Sequence, residues 1–303
     1  MAKMRIGFLH SLIRPEEKLL IKELQSRHEI ELIPLDDRRI EFDVAAGDFR
    51  LDLLLNRSLN QSASLNAVRL FESLGTRCIS SAHTAGICGD KVHTSAVLRA
   101  AGIQQPEVRV AFSEKAALSA IEKMGYPVVL KPAVGSWGRL LSKINDAESA
   151  MAILQHKKAL GAYHHAIYYI QKYVEKRGRD IRCIVIGGEC VAASYRTADH
   201  WITNAARGAI SIACAVTDEI AEITLAAAKA VAGEIVGIDL FEIPRGYLVN
   251  EINHTLEFKG CMAATGCNIP ARIADFLIGQ VAVQNTKKNG NVQTAIRAIP
   301  QTV

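Results

Sequence analysis

Short apolar segments alternate with helix-forming segments near the start of the chain, and this alternation constrains the fold more than any other feature. Residues 4–9 and 51–55 have the length and apolar content of buried strands. Residues 15–27 and 62–74 have helical periodicity, and a proline opens the first of these helices. Strands that alternate with helices form parallel sheets, so this part of the chain is predicted to be a small α/β domain.

The rest of the chain continues the mixture of strands and helices. A helix is predicted from Asp90 to Ala101, and Ser113, Asp146 and Thr217 stand where helix N-caps are expected. Gly187-Gly188 joins two strand-like segments and predicts a hairpin. Further strands are predicted at residues 126–132, 166–173, 236–241 and 247–253. The predicted fold class is therefore α/β throughout.

Composition excludes several classes of protein. The chain has 303 residues, 49% of them hydrophobic, but no apolar run long enough to cross a bilayer and no signal-peptide pattern at its N-terminus. Its seven cysteines are an odd number without a Cys-x-x-Cys pair, which disfavours disulfides and thiolate zinc sites. A cytoplasmic protein that does not bind membranes and uses cysteine as a small apolar residue is expected.

The charge balance is mildly basic. Lysine and arginine number 36 against 31 acidic residues, giving a net charge of +5. No basic run interleaved with aromatic residues indicates a nucleic-acid surface. Small anionic ligands or an acidic protein partner fit this charge, and so does an ordinary soluble surface.

Two neighbouring predicted strands carry acidic and amide side chains. Asp239 lies in the first, and Glu251 and Asn253 lie in the second. Because strand side chains alternate, Glu251 and Asn253 share one face. Hard oxygen donors of this kind suit magnesium that bridges nucleotide phosphates. The alternative is a strand-end carboxylate satisfied by backbone amides.

Cationic residues and a glycine loop form a second group. Lys131 ends an apolar strand, and Lys91 opens a helix where acidic residues are preferred. Residues 135–139 form a loop with two glycines, which let backbone N–H groups approach phosphate, and Arg207 follows two alanines. Taken singly, each is equally consistent with an exposed lysine, an ordinary turn or a surface arginine.

The order of these features resembles the ATP-grasp superfamily, in particular its RimK-like branch. The resemblance is closest to the LysX family of ligases. It covers the chain from about Arg14 to Leu277. The segments that carry it are residues 88–91, 126–132, 135–141, 169–176, 178–182, 200–204, 249–255 and 257–259.

The resemblance implies an ATP-grasp fold with an N-terminal Rossmann-like pre-ATP-grasp domain. The implied domains are residues 1–88, the pre-ATP-grasp domain; 89–172, the central subdomain with the glycine loop; and 173–283, the C-terminal subdomain with the metal site. Residues 284–303 are predicted to be a loose tail. ATP would bind between the last two of these subdomains.

The resemblance also implies an ATP site. Lys91 and Lys131 would contact the phosphates, residues 171–174 would face adenine largely through their backbone, and Asp180 would lie near the ribose. Arg182 and Arg207 are the implied catalytic residues. The implied ATP-binding residues are Lys91, Lys131, Gly135, Ser136, Trp137, Gly138, Arg139, Gln171, Lys172, Tyr173, Val174, Asp180, Arg182, Arg196 and Asn204.

By the same resemblance, Asp239, Glu251 and Asn253 hold two Mg²⁺ ions, with Glu251 bridging them. The implied reaction joins a carboxylate to an amine through an acyl phosphate. A LysX-like ligase acts on the side-chain carboxylate of the C-terminal glutamate of LysW, a small acidic carrier protein. The α-amine of α-aminoadipate attacks it, in lysine biosynthesis by the aminoadipate route.

The segment after Lys259 departs from the family pattern. It keeps Thr265 and Gly266 as aminoadipate-type relatives do, and Gly260 and Ala263 as glutamate-type relatives do. Both amino acids are therefore candidate substrates, since one methylene discriminates by only about 1–3 kcal/mol. The candidate substrate-binding residues are Arg14, Arg57, Ser62, Asn204, His254, Thr255, Gly260, Ala263 and Thr265.

Two other functions compete with this one. A RimK-like ligase could add glutamate to another acceptor, such as a ribosomal tail, a pterin or a deazaflavin. A nucleotide-binding regulator without turnover is disfavoured, because Asp239, Glu251 and Asn253 are all present. The family resemblance also implies a homodimer or homotetramer.

Overall fold

A computed structural model describes residues 3–44, 49–135, 140–159, 166–204 and 208–297, with side chains through residue 283. The strands are β1 Met4–His10, β2 Ile30–Asp36, β3 Leu53–Asn56, β4 Cys78–Ile79, β5 Val108–Ala111, β6 Val128–Lys131, β7 Ser142–Ile144, β8 Tyr168–Lys172, β9 Arg179–Ile186, β10 Glu189–Thr197, β11 Ile210–Cys214, β12 Ile235–Ile243 and β13 Gly246–Asn253. The helices are α1 Pro15–Ser26, α2 Gln61–Ser73, α3 Ala82–Cys88, α4 Lys91–Ala100, α5 Glu114–Met124, α6 Ala147–Ala159, α7 Asp218–Ala230, α8 Lys259–Thr265 and α9 Ile269–Arg297.

The chain divides into two compact units, the first formed by residues 1–81 and 268–303 and the second by residues 82–267. The first unit contains a parallel sheet in the order β2-β1-β3-β4. This confirms the parallel sheet predicted from the alternation of strands and helices. Helix α9 returns to this unit, where Asp275 forms an ion pair with Arg27 at the end of α1 (Oδ1–Nη1 3.0 Å).

The second unit contains two sheets. Strands β5, β8, β6 and β7 form an antiparallel sheet whose apolar face packs against helices α5 and α6. The larger sheet has the order β11-β10-β9-β12-β13 and is also antiparallel. Helix α7 packs on it over a core rich in isoleucine and valine. Strand ends of both sheets contribute to the site described below.

The predicted helix starts are confirmed. The Asp90 carboxylate accepts from Val92 N (2.8 Å), and Ser113, Asp146 and Thr217 accept in the same way at the starts of α5, α6 and α7. The hairpin across Gly187-Gly188 is also confirmed, with both glycines at positive φ. A side chain is disfavoured at positive φ, which is why glycine stands there.

Several elements were not predicted from the sequence, namely β2, β5, β7, β11, α3 and α8. Strand β2 contains Pro34, which argues against an interior strand, and both β2 and β11 form the edges of their sheets. Helix α8 has only 7 residues and ends at Gly266 in the left-handed region. That glycine was the available signal for its end.

The backbone of the C-terminal segment is helical through Arg297, as part of α9. The loose tail at residues 284–303 stays a prediction. The boundary at residue 172 between two ATP-grasp subdomains stays a prediction. In the part of the chain that the structure describes, no helix is long and apolar enough to cross a membrane.

Candidate functional site

A cleft of about 690 Å³, partly open to solvent, lies within the second unit and is lined by residues of both its sheets. It brings together ten of the residues predicted from the sequence. These are Lys91, Lys131, Gly135, Gln171, Lys172, Tyr173, Val174, Asp180, Asn204 and Glu251. Because predicted phosphate, adenine and ribose residues share one cavity with the predicted metal ligand Glu251, the cleft is the candidate active site.

Two lysines supply positive charge to the cleft. Lys131 is the last residue of β6, and its Nζ donates to Asn250 Oδ1 (2.9 Å). Burial lowers the pKa of Lys131 to about 8, against the opposing effect of the Glu251 carboxylate. Lys91 Nζ donates to Gly135 O (2.7 Å) and lies 3.5 Å from Glu251 Oε1. Both ammonium groups are therefore held where an anionic ligand would meet them.

The acidic residues face one another across two paired strands. Asp239 on β12 is the register partner of Glu251 on β13, and Gly237 is the partner of Asn253. This confirms that the two predicted strands are neighbours. The roles of Asp239, Glu251 and Asn253 as metal ligands stay a prediction.

Strand β13 has a bulge that changes which side chains reach the cleft. The register passes from Glu251 directly to Val249, leaving Asn250 as the extra residue. Regular alternation would point Asn250 and Glu251 to opposite faces, yet both line the cleft. A bulge re-aims a side chain in this way.

A row of buried charges crosses the larger sheet beside Asp239. Asp239 accepts from Arg182 through Nε (2.5 Å) and Nη2 (3.1 Å), and Arg196 Nη2 lies 2.9 Å from its Oδ2. Burial raises the pKa of Asp239, but Arg182 and Arg196 outweigh it and hold that pKa at about 2. Asp239 is therefore ionised at any working pH.

The same row continues to Asp180. Arg196 and Asp180 are register partners on β10 and β9, and Arg196 Nε donates to Asp180 Oδ1 (2.7 Å). Burial opposes the charge of Arg196, but Asp239 and Asp180 together raise its pKa above its ordinary value. Asp180 lines the cleft, yet its carboxylate is already engaged by protein groups.

The donor set fits a divalent cation that also binds nucleotide phosphates. Among the described residues, no three His, Cys, Asp or Glu side chains converge as a closed ligand set. Glu251 and Asp239 supply adjacent carboxylates, and Asn253 Nδ2 is buried without a hydrogen-bond partner. Rotating the side-chain amide of Asn253 by half a turn would place its Oδ1 where Nδ2 now lies. An open oxygen site of this kind suits Mg²⁺, which keeps waters and phosphate oxygens among its ligands.

The predicted adenine-facing segment, residues 171–174, covers the last two residues of β8 and the two that follow. Lys172 Nζ donates to Met124 O (3.0 Å) and Gly125 O (2.9 Å), so its ammonium caps the end of α5. The Tyr173 ring contacts Lys143 Nζ (3.6 Å to the centroid) and lies edge-on to Trp201. These side-chain contacts agree with the prediction that residues 171–174 would recognise adenine through their backbone.

Several predicted residues lie elsewhere. Ser136, Trp137, Gly138, Arg139 and Arg207 fall outside the described residues. Arg14, Arg57 and Ser62 belong to the first unit. The remaining predicted residues stand on or near the larger sheet of the second unit without lining the cleft. They are Arg182, Arg196, Asp239, Asn253, His254, Thr255, Gly260, Ala263 and Thr265.

Two of the candidate substrate residues have local structural partners in α8. Thr265 Oγ1 donates to Cys261 O (2.8 Å) and accepts from Cys267 N (3.3 Å), which closes the C-terminus of the helix. A Cβ atom on Gly260 would lie 2.5 Å from Ser211 Oγ, so the glycine lets α8 approach β11 closely. Both features bear on packing as well as on any substrate role.

In the first unit, Arg14 and Arg57 converge on a buried glutamate. Arg57 Nη2 donates to Glu17 Oε1 (2.6 Å), and Arg14 Nε donates to Glu17 Oε2 (2.9 Å). Burial raises the pKa of Glu17, but both arginines counteract it and bring the pKa to about 2. The predicted substrate arginines therefore also neutralise a buried carboxylate. Ser62 is exposed in the first turn of α2.

The structure adds cleft residues that were not predicted. They are Val129, Pro132, Leu141, Lys176, Trp201, Ile202, Thr203, Phe241 and Asn250. Lys176 Nζ donates to Thr203 Oγ1 (2.6 Å), a contact across 27 residues of sequence. Lys176 was included in the segment 169–176 that carries the family resemblance, but no role was predicted for it.

Comparison with known proteins agrees with this geometry. Residues 88–277 match the family model described as a RimK-like ATP-grasp domain, and residues 6–87 match the LysX pre-ATP-grasp domain. ATP-grasp ligases use ATP and a divalent metal, in keeping with the cleft. The match of both models confirms the resemblance found in the sequence.

Two named relatives from Sulfurisphaera tokodaii cover nearly the whole chain. Glutamate--LysW ligase ArgX is 34% identical over 278 residues, covering 90% of this chain and 98% of its own. Alpha-aminoadipate--LysW ligase LysX is 32% identical over 286 residues, covering 92% of this chain and 98% of its own.

A solved structure shares the fold. The RimK domain ATP-grasp protein from Sphaerobacter thermophilus has a TM-score of 0.76 and 24% sequence identity, covering 90% of this chain and 98% of its own. It supports the α/β ATP-grasp architecture with a pre-ATP-grasp domain. With both family models and these relatives in agreement, the chain belongs to the RimK-like ATP-grasp ligases and carries a LysX-type pre-ATP-grasp domain.

Proposed function

We propose that this ligase joins the α-amine of α-aminoadipate or glutamate to the C-terminal glutamate side chain of a LysW-type carrier protein. The proposal rests chiefly on the combination of the cleft with a LysX-type N-terminal domain, since named relatives with that combination are LysW ligases. A net charge of +5 suits an acidic carrier. The natural setting would be amino-acid biosynthesis in the cytoplasm, with a homo-oligomeric enzyme.

The chemistry follows from the charges in the cleft. A carrier carboxylate oxygen attacks the γ-phosphorus of ATP, the bond to ADP breaks, and an acyl phosphate forms. The amino acid's amine then attacks the acyl carbon, phosphate leaves, and the nitrogen loses a proton. Lys91 and Lys131 offset the phosphate charge throughout, and their fixed positions need no rearrangement during the reaction.

A divalent metal would be held by Glu251, Asp239 and Asn253 and would neutralise phosphate charge. Glu251 would be the ligand shared by two Mg²⁺ ions. Arg182 and Arg196 hold the Asp239 carboxylate in place, and Arg182 also donates to Glu257 O (Nη1, 3.1 Å). With Arg207, Arg182 is the proposed stabiliser of the transferred phosphoryl group.

The proposal is tested with purified enzyme, ATP, Mg²⁺ and a LysW-type carrier that ends in glutamate, offering each amino acid separately. The intact mass of the carrier is the readout. A gain of aminoadipate minus water assigns the lysine route, and a gain of glutamate minus water assigns an arginine-type route. A carrier whose terminal glutamate is replaced by glutamine is the control and should gain nothing.

No mass gain with either amino acid would overturn the carrier assignment. If ADP then formed only with a different acceptor, such as a ribosomal tail or a pterin, the RimK-like ligase would remain with another substrate. If no acceptor supported ADP formation, catalysis itself would be excluded.

A further inference from the structure

We infer that Lys176 is a positioning residue of the nucleotide cleft, holding the wall formed by residues 201–204 against the larger sheet through Thr203. The inference deepens the proposed function, because it rests on that cleft binding a nucleotide. It assigns a role to a buried cation that the proposed chemistry does not use.

The contacts of Lys176 are specific and local. Its Nζ donates to Thr203 Oγ1 (2.6 Å), lies 3.6 Å from Asp180 Oδ2 and sits 5.1 Å above the centre of the Phe241 ring. The residue is only 7% exposed. A buried ammonium requires such compensation, so its position is strongly determined.

Thr203 is the link between this lysine and the sheet. Its hydroxyl accepts from Lys176 and donates to Asp180 Oδ2 (2.5 Å), which uses both functions of the group. Thr203 is fully buried, whereas Ile202 N donates to the nearby His200 Nδ1 (3.0 Å), a local bond that does not reach the sheet. The Thr203 hydroxyl therefore fastens the segment to β9.

The fastened segment forms one wall of the cleft. Trp201, Ile202, Thr203 and Asn204 all line it, opposite residues of β6 and β8. Removing either the Thr203 hydroxyl or the Lys176 ammonium weakens the polar attachment of this wall, while the edge-on contact of Trp201 with Tyr173 remains. The expected consequence is weaker nucleotide binding rather than loss of the fold.

The fold should survive removal of the ammonium because Asp180 keeps other partners. Arg196 Nε (2.7 Å) and the Thr203 hydroxyl still compensate its carboxylate. Methionine has a similar length and tolerates an apolar neighbour such as Phe241. Lys176→Met is therefore a suitable probe.

The chain provides a closely matched control. Lys157 on α6 is 8% exposed, and its Nζ lies 5.4 Å from the centre of the Tyr168 ring. It resembles Lys176 in burial and in its aromatic neighbour, but it does not line the cleft. Lys157→Met controls for the loss of a buried lysine as such.

The experiment measures binding of Mg-ADP to the full-length chain by calorimetry. Lys176→Met should weaken binding about tenfold, the effect of one charged hydrogen bond, and Lys157→Met by less than about twofold. Lys176→Arg should restore most of the affinity. Thr203→Val should match Lys176→Met, and the double variant should be no weaker than either single one.

A second measurement, the fluorescence of Trp201, reports on the position of residues 201–204. The chain has two tryptophans, so Trp137→Phe leaves Trp201 as the single fluorophore. Lys176→Met in that background should increase acrylamide quenching of Trp201, and Lys157→Met should not.

Each result has a distinct meaning. Additive losses in the double variant, or unchanged Trp201 quenching, would show that Lys176 does not act through Thr203 and would overturn the inference. If the wild type binds Mg-ADP and Lys176→Met binds it equally well, the inference is overturned. The proposed function would remain intact. Failure of the wild type to bind Mg-ADP would instead remove the proposed function, and this inference with it. If Lys176→Met did not fold, Thr203→Val and Lys176→Arg would decide the question.

Discussion

Replacing Glu17 with glutamine tests whether Arg14 and Arg57 serve the fold or remain available for a substrate. Glu17 is fully buried and receives hydrogen bonds from both arginines. A pKa that falls from 4.5 to about 2 on folding corresponds to about 3 kcal/mol of stability at neutral pH. Glu17→Gln should lose about this amount, because it leaves the buried Arg57 and the half-buried Arg14 guanidinium groups without that negative charge.

The pH dependence gives the prediction a definite sign. Because the folded pKa of Glu17 lies below the unfolded one, its stabilisation is complete above about pH 4.5 and is lost as the pH falls toward 2. The difference between wild type and Glu17→Gln should therefore shrink to about half near pH 3.

Hydrogen exchange of peptides covering β1 and α1 measures the stability of the first unit directly, since both tryptophans lie in the second. Glu23→Gln is the control on the same helix. Glu23 pairs with Arg27 at the surface, where such pairs contribute less than about 1 kcal/mol. A Glu17→Gln variant as stable as this control, or a difference that does not change with pH, would refute the reasoning and favour a substrate role for the arginines.

Three further predictions concern the second unit. Glu251→Gln should slow ADP formation by about 100-fold or more in a coupled assay, since it removes charge at the metal position, and wild-type turnover would exclude that role. Lys131→Met should weaken ATP binding at least about tenfold by calorimetry, and unchanged affinity would remove its phosphate contact. Lys172→Met should lower the free energy of unfolding by about 1–2 kcal/mol in a urea titration, because Met124 O and Gly125 O lose their donor, whereas unaltered stability would show that this cap contributes nothing.

The sequence predicted the parts of the site that depend on local rules. Glu251 and Asn253 share a face because strand side chains alternate, and Asp239 reaches them because β12 and β13 are consecutive and antiparallel. The helix that presents Lys91 was predicted from Asp90 to Ala101, and the structure places Asp90 at its N-cap. Side-chain alternation along a strand and the capping of a helix both depend on residues that are close in the sequence. One sequence is therefore sufficient to predict them.

The contacts that the sequence did not predict depend on distant partners. The bulge at Asn250 brings a second polar side chain into the cleft, and no residue type at that position signals it. Lys176 meets Thr203 only because β9 and the segment after β10 fold together. Lys172 was predicted at the hinge, but its ammonium is taken by the end of α5, which only the three-dimensional arrangement shows.

The hydrogen-bond capacity of the buried row constrains how it can act on a substrate. Asp239 accepts twice from Arg182 and also pairs with Arg196, which leaves little of its acceptor capacity for a metal. The ion pair of Glu251 with Lys91, at 3.5 Å, is longer than those of Asp239 with its two arginines, so the Glu251 oxygens are more available. Arg182 has already committed three of its five N–H donors, two to Asp239 and one to Glu257 O. The metal charge should therefore rest mainly on Glu251, while Asp239 and its arginines form a rigid, ionised support behind it.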